Sequence, residues 1–231
     1  MTFKDDLQTK INTIFNTKMV TRSGTAVPND TSVTLGSDGV EIDATVLYAD
    51  LSESTKLVDT KYAWFAAQVY KSYLLSAAQI IKDEDGEVTA YDGDRVMGVF
   101  VGEYKNTHAV RAALRINTAV TRQINPVIAR KYGANDYIVR HTVGVDTSKL
   151  LVAKTGIRGA NDLVWIGRAS NYAAKLCNLK EPYNIWITKA VYDMMTNMVK
   201  NAGTGENMWS KQLWTPMNNF EIYGTTYIWD Y

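Results

Sequence analysis

Apolar residues recur along this chain in two periods, and the switches between them divide it into elements. Phe3, Leu7, Ile11, Ile14 and Phe15 stand at helical spacing and predict a short amphipathic helix over residues 3–17. Residues 18–42 are rich in Thr, Ser, Gly, Asp and Asn, carry Pro28 and show no period. They read as a long loop or arm that makes a dimer contact or covers a site. Val46, Leu47 and Ala49 then supply an apolar run that stops at Asp50, a buried strand ending on an acid. Leu51 to Thr55 turn the chain, with Ser54 or Thr55 placed to cap the following helix. That helix is expected over residues 56–82, with Tyr62, Phe65, Ala66, Val69, Tyr73, Ala77, Ile80 and Ile81 as its buried stripe.

Asp85-Gly86 ends the helix. Two apolar stretches, Glu87–Ala90 and Val96–Val101, then flank Tyr91-Asp92-Gly93-Asp94-Arg95, a hairpin with acids at its tip. A second helix runs from near Asn106 through Val110, Leu114 and Asn117 to Ile124, where Pro126 kinks or ends it. Tyr137–Asp146 and Leu163–Gly167 read as strands, and Arg168–Leu179 as a helix packing Ala173, Ala174 and Leu176 inward. Tyr183–Ile187 is a further strand, Thr188 caps a helix to about Val199, residues 201–219 form a loop and Phe220–Tyr231 is a closing strand. The order strand, helix, strand, strand, helix, strand predicts an α+β, ferredoxin-like unit, a mostly antiparallel sheet with helices on one face. Residues 1–42 are expected to be an N-terminal helix and arm, and residues 43–231 a single domain.

Bulk properties narrow the chemistry. A length of 231 residues suits one domain with a sizeable core. A net charge of +1 with scattered basic residues gives no electrostatic case for a nucleic-acid or membrane partner. Cys177 is the single cysteine, which removes a disulfide framework and a zinc knuckle; it reads as a small apolar core residue. His108 and His141 are the two histidines and read as structural. Neither a signal peptide nor an apolar stretch of spanning length is present, so a cytoplasmic location is expected.

Candidate chemistry sits at the strand that ends on Asp50. A carboxylate there, followed by a turn into a helix, suits a divalent metal and a polyphosphate: the acid holds the ion, and free backbone N–H groups with the helix dipole hold phosphate oxygens. Taken alone, an acid at a strand end such as Asp50 is more often a solvated turn residue. Asp94 on the hairpin tip can meet it at adjacent strand ends, and two carboxylates sharing two metal ions are what in-line phosphoryl chemistry needs.

Three segments in order resemble the class III nucleotidyl cyclases. These are Val46–Thr55, Gly93-Asp94 within Val88–Phe100, and Gly167-Arg-Ala-Ser-Asn171-Tyr-Ala-Ala-Lys175-Leu. Within that class, Ile157–Leu176, Asn207-Met-Trp209 and Asp92-Gly-Asp-Arg95 resemble the pyrimidine cyclases of the Pycsar antiphage system. The resemblance implies a class III cyclase fold and a homodimer converting UTP or CTP to a 3′,5′-cyclic nucleotide that a separate effector reads. It implies that Asp50 and Asp94, with the Leu51 carbonyl, hold two Mg²⁺ or Mn²⁺ ions, while backbone amides of Ser52, Glu53, Ser54 and Thr55 cradle the β- and γ-phosphates. Asn171 would position the ribose and Lys175 stabilise charge at the phosphorus, both supplied by the partner protomer. Lysine departs from the usual arginine there, keeping the charge and losing the fork.

Lys149 matches a phosphate-binding position, with a solvated lysine the competing reading, and Arg158 and Arg168 are weaker candidates for that role. The two positions that read a purine edge carry Ala90 and Val164, which cannot hydrogen-bond. Tyr48 shares a strand face with Asp50 and can narrow the base pocket; Trp165 is bulky. UTP is the expected substrate and cyclic UMP the product. The alternatives are a cytidylate cyclase making cyclic CMP, a purine cyclase, and a degenerate dimeric nucleotide-binding module. A diguanylate cyclase lacks support because the hairpin has no Gly-Gly-Asp/Glu-Glu-Phe signature, and the neutral charge argues against a polymerase.

Overall fold

The apolar run before Asp50 becomes an inner strand of a nine-stranded sheet. The structure, a computed structural model, describes residues 2–133, 137–179 and 181–229. Its elements in chain order are α1 (Phe3–Asn16), β1 (Val20–Ser23), β2 (Asp38–Ser52), α2 (Ser54–Thr60), α3 (Ala63–Asp83), β3 (Glu87–Asp92) and β4 (Arg95–Phe100). Next come α4 (Lys105–Ala119), a π turn (Val120–Ile124), α5 (Asn125–Tyr132), β5 (Arg140–Ile157), β6 (Ala160–Ile166) and α6 (Arg168–Leu176). The chain closes with β7 (Ile185–Thr188), α7 (Lys189–Met194), α8 (Asn197–Lys200), β8 (Ser210–Trp214), a 3-10 turn (Thr215–Met217) and β9 (Phe220–Thr225).

The strand order is β3-β4-β2-β5-β7-β9-β8, with β1 added to β2 and β6 to β5. Among the described strands only the β1–β2 and β5–β7 pairings are parallel, so the sheet is mostly antiparallel. β2 is buried on both faces, which explains its unbroken apolar run. Leu47, Ala49 and Leu51 pack with Phe65, Val69 and Tyr73 of α3 and with Val110 and Leu114 of α4. Val40, Ile42, Ala44 and Val46 pack with Ala169 and Ala173 of α6. The main helical layer therefore covers one face as expected, and the short α6 lies on the other.

Several elements differ from their sequence patterns, each for a visible reason. The single helix expected over 56–82 is two, because Lys61 and Tyr62 are extended; Tyr62, expected in the buried stripe, is exposed, while Phe65 through Ile81 are buried as read. Pro126 does not end the second helix. It falls in the first turn of α5, where a missing N–H costs nothing, and the π turn absorbs the irregularity. β5 extends to Ile157, beyond the Asp146 limit, because its outer half pairs with β2 and β6 and buries Leu150 and Val152. The arm of residues 18–42 contains β1 and the start of β2. The loop expected over 201–219 holds β8, an edge strand, and the closing strand ends at Thr225. The remainder, to Trp229, is tied to α4 through Asn117 and Thr118; Asp230 and Tyr231 lie outside the described residues. α1 is capped by Thr2 and Asp5 as a capping box, yet Phe3, Leu7, Ile11, Ile14 and Phe15 are all exposed. Among the described residues no helix is long and apolar enough to cross a membrane.

α6 sits close to β5 because Gly144 leaves room for it. A Cβ at Gly144 would stand 2.2 Å from the Ala173 carbonyl oxygen and 2.8 Å from Leu176 Cβ. Gly144→Ala must therefore push α6 off the sheet and is expected to cost about 1–3 kcal/mol. Urea denaturation should show a lower midpoint at unchanged slope. Gly203→Ala, where the same atom meets nothing within 4 Å, is the control and should leave the midpoint in place.

Candidate functional site

Register places the candidate residues. Asp50 pairs with Arg95 on β4 and Thr142 on β5, and Arg95 pairs with Asp92 on β3. Two residues back, Tyr48 pairs with Met97 and Gly144, and Met97 pairs with Ala90. Residues two apart along a strand share a face, so Asp50, Tyr48 and Ala90 all face the α6 side. Asp94 follows Gly93 in the β3–β4 turn, where Gly93 takes the left-handed φ of 62° that a two-residue turn requires. The two acids are close enough to interact. Burial, then the charge of Asp94, pushes the Asp50 carboxyl up to about 6 against the opposing pull of Arg95 and the Leu51 backbone amide.

That perturbation tests the fit of a divalent cation. Two carboxylates crowded into a partly desolvated corner repel each other, and a cation between them relieves the cost. Mg²⁺ and Mn²⁺ accept one or two carboxylates with phosphate and water oxygens completing the shell, so the donor set fits.

The phosphate turn is built differently from its sequence pattern. β2 continues past Asp50 to Ser52, whose hydroxyl lies 3.2 Å from that of Thr142. Glu53, in the left-handed region at φ 60°, is the N-cap residue of α2, and no side chain caps this helix. Ser54 and Thr55, read as caps, are instead its first two helical residues. The first intrahelical bond runs from the Leu57 amide to the Glu53 carbonyl at 3.1 Å. The amides before it, at Ser54, Thr55 and Lys56, have no intrahelical acceptor by helix geometry.

Two neighbours were not singled out by sequence reasoning. Arg95 donates to Asp92 at 2.7 Å and lies 5.2 Å from the centre of the Tyr48 ring, so it borders both Asp50 and the expected base pocket. The Cys177 thiol donates to the Tyr48 carbonyl at 3.1 Å, and burial pushes that thiol far up, which keeps it protonated. Arg95 was legible only as part of the hairpin tip. Cys177 contacts a residue distant in sequence and had no local signal.

The other expected site residues lie elsewhere in the protomer. Asn171 and Lys175 are exposed on the outer side of α6, opposite Ala169, Ala173 and Leu176, and the Lys175 ammonium rests 3.9 Å from Met217 Sδ. Lys149 is in mid-strand rather than in a loop; it pairs with Asp43, seven residues before Asp50, or about 23 Å along the strand. Val164 pairs with Ala153 and faces away from Trp165, which packs with Tyr48 and Ala90 against the cluster beneath α6. Arg158 is exposed beyond the end of β5.

Arg168 is not a free phosphate ligand. Its Nε and Nη2 donate to the fully buried carboxylate of Asp146 at 3.0 and 3.2 Å, and Nη2 donates to the Thr147 carbonyl at 2.7 Å. Thr188 makes no side-chain cap on α7 because its hydroxyl donates to the same Asp146 at 2.5 Å. His141 is buried against Tyr73, and burial pushes it down to about 4, leaving it neutral, as its structural reading requires.

The raised Asp50 carboxyl makes a prediction for the metal-free protein. Its folded pKa of about 6 exceeds the ordinary 3.8, so the folded state holds the proton more tightly and stability falls as pH rises between these values. Above pH 6 the full penalty is present. Asp50→Asn removes it and should stabilise the chelator-treated protein at pH 7.5 by about 1 kcal/mol, discounted from about 3 because the carboxyl is partly exposed. The gain should shrink as pH is lowered toward 4. An equal gain at both ends, measured by denaturant titration, would show that the buried charge on Asp50 is not its source.

No protein-family model matches the chain. A uridylate cyclase from Xanthomonas perforans is 49% identical over 230 residues, 99% of each chain. One from Burkholderia cepacia is 48% identical over 232 residues, again 99% of each. Among solved structures, the guanylyl cyclase Cya2 matches with a TM-score of 0.69 at 15% identity, over 83% of this chain and 95% of that one. The acid pair, the row of Tyr48 and Ala90 beside it and these full-length likenesses lead to one conclusion: this chain is a nucleotidyl cyclase with the class III fold and belongs to the uridylate cyclase family.

Proposed function

We propose that this protein is a homodimeric, cytoplasmic uridylate cyclase that closes UTP to 3′,5′-cyclic UMP with release of pyrophosphate, as a second messenger in antiphage defence. The observation that carries the reading is the meeting of Asp50 and Asp94 beside Tyr48 and Ala90 on one face of the sheet. The full-length relatives named uridylate cyclase support the choice of UTP.

Asp50, Asp94 and the Leu51 carbonyl would hold the two divalent ions. When bound, Mg²⁺ or Mn²⁺ would lower the pKa of the ribose 3′-hydroxyl and neutralise the triphosphate. The amides of Ser54 and Thr55, which open α2 without an intrahelical acceptor, would hold the β- and γ-phosphates together with those of Ser52 and Glu53. Tyr48, whose ring lies beneath Arg95, would narrow the space next to Ala90 so that a pyrimidine fits and a purine overlaps the ring. Asn171 would orient the ribose and Lys175 would carry the positive charge toward the phosphorus undergoing attack. Both lie on the outer side of α6, a position suited to completing the site of a second protomer. Lys149, exposed on β5, would contact phosphate across the same dimer. A separate effector would read the product.

Purified protein with each of ATP, GTP, CTP and UTP and Mn²⁺ or Mg²⁺ tests the reading. Cyclic UMP should dominate, and Asp50→Ala and Asp94→Ala should each lower turnover at least about a hundredfold with the fold intact. Dominant cyclic CMP would assign the cytidylate alternative. No product from any nucleotide, with tight binding retained, would favour the degenerate binding module. Mixed Asp94→Ala and Lys175→Ala protomers should recover part of the activity, because one of the two sites is then complete. No recovery after demonstrated subunit exchange would count against shared sites.

A further inference from the structure

α6 is held at both ends. At its start, Arg168 grips the buried Asp146 with two nitrogens and the Thr147 carbonyl with one of them, the Ala169 amide donates to Ser148 Oγ at 2.9 Å, and Ser170 Oγ donates to the Trp165 carbonyl at 2.6 Å. At its end, Cys177 donates to the Tyr48 carbonyl. Asp146 is 0% exposed, and its remaining hydrogen bond comes from Thr188 on β7. The Asp146–Arg168 pair is costly to bury unless the geometry is good, and here both carboxylate oxygens and both donating nitrogens are used. Asn171 and Lys175 lie three and seven residues after Arg168 on the same rigid helix. A small rotation of α6 at Arg168 moves both side chains together.

We infer that Arg168, locked onto Asp146, which Thr188 also holds, is a positioning residue that fixes the azimuth of α6 and so aims Asn171 and Lys175 at the reacting phosphorus in the partner's site. The inference rests on the shared-site reading proposed above. Arg168 does not touch substrate in this arrangement. Its part is to set where two other side chains stand, and misplacement by about 1 Å costs up to a hundredfold in rate. Arg168→Lys keeps the charge opposite Asp146 and loses the fork, so the helix remains attached but its rotation is no longer fixed.

Mixed dimers separate positioning from general stability. In a dimer of Asp94→Ala and Lys175→Ala protomers, the one complete site combines the acids of the second protomer with α6 of the first. Arg168→Lys placed in the Asp94→Ala protomer alters the working α6. Placed in the Lys175→Ala protomer, it alters a helix that is already inactive. The first arrangement should lose about tenfold or more in kcat with KM within about twofold, and the second should match the unmodified mixture.

Equal losses in both arrangements, or no loss in either, overturn the inference while leaving the cyclase reading intact. Inactivity of the unmodified mixture alongside an active wild-type enzyme removes the shared site, and this inference with it. A wild-type enzyme that forms no cyclic nucleotide defeats the proposed function itself. Where Arg168→Lys lowers the melting temperature, Thr188→Val gives the second reading. It removes one hydrogen bond to Asp146 without touching α6 and should show the same asymmetry at smaller size; equal effects on both sides again overturn the inference.

Discussion

The antiparallel ladder between β2 and β5 is the constraint on which the rest of the molecule depends. It runs from Gly39 opposite Ala153 to Ser52 opposite Arg140. Because side chains alternate, a slip of one residue would exchange the two faces of β2. Leu47, Ala49 and Leu51 would leave the α3–α4 core, and Tyr48 and Asp50 would turn into it. Such a slip buries a carboxylate among apolar side chains and is forbidden by cost alone. The hydrophobic pattern that folds the sheet is therefore also what points Tyr48 and Asp50 to the α6 side and keeps Asp50 level with the β3–β4 turn.

The same ladder leaves destabilising features in place at one end of the sheet. Asp50 is half-buried beside Asp94, and Glu53 takes a left-handed conformation that a non-glycine residue resists. The fully buried carboxylates are treated differently: Glu84 is tied to Arg111 and Arg115, and Asp146 to Arg168. Two acids crowded together, where other buried carboxylates are each matched to arginine, are the pattern expected of a working site rather than of poor packing.

Much of this architecture was legible in the sequence because it depends on local pattern. The strand into Asp50, the hairpin tip at Asp92–Arg95 and the buried stripe from Phe65 to Ile81 follow from periodicity and turn chemistry. What escaped depends on partners distant in sequence. The outer half of β5 carries a short apolar run, Leu150, Leu151, Val152 and Ala153, set between Ser148, Lys149 and Lys154, Thr155, and its extent as a strand is fixed by pairing with β2 and β6. β8, with Ser210, Lys211 and Gln212, is an edge strand held by β9 alone. Asp146, Arg168 and Thr188 come from three elements, so no window of sequence contains the cluster they form. Arg168 looked like a spare cation because its counter-charge lies 22 residues away.

The lysine on α6 gains a physical rationale from that cluster. An arginine at this place would bring a planar fork whose two donors fix their own orientation on a phosphate, whereas a lysine brings a point charge on a flexible stem. Under the proposed mechanism the aim of that charge must then come from the backbone that carries it. α6 supplies this through three contacts with different chemistry: an ion pair at its start, a thiol hydrogen bond at its end and a backbone approach at Gly144 that admits no side chain. The end contact lands on Tyr48, two residues before Asp50. One packed unit thus joins the acids that a protomer offers to its own site with the helix it would offer to its partner's.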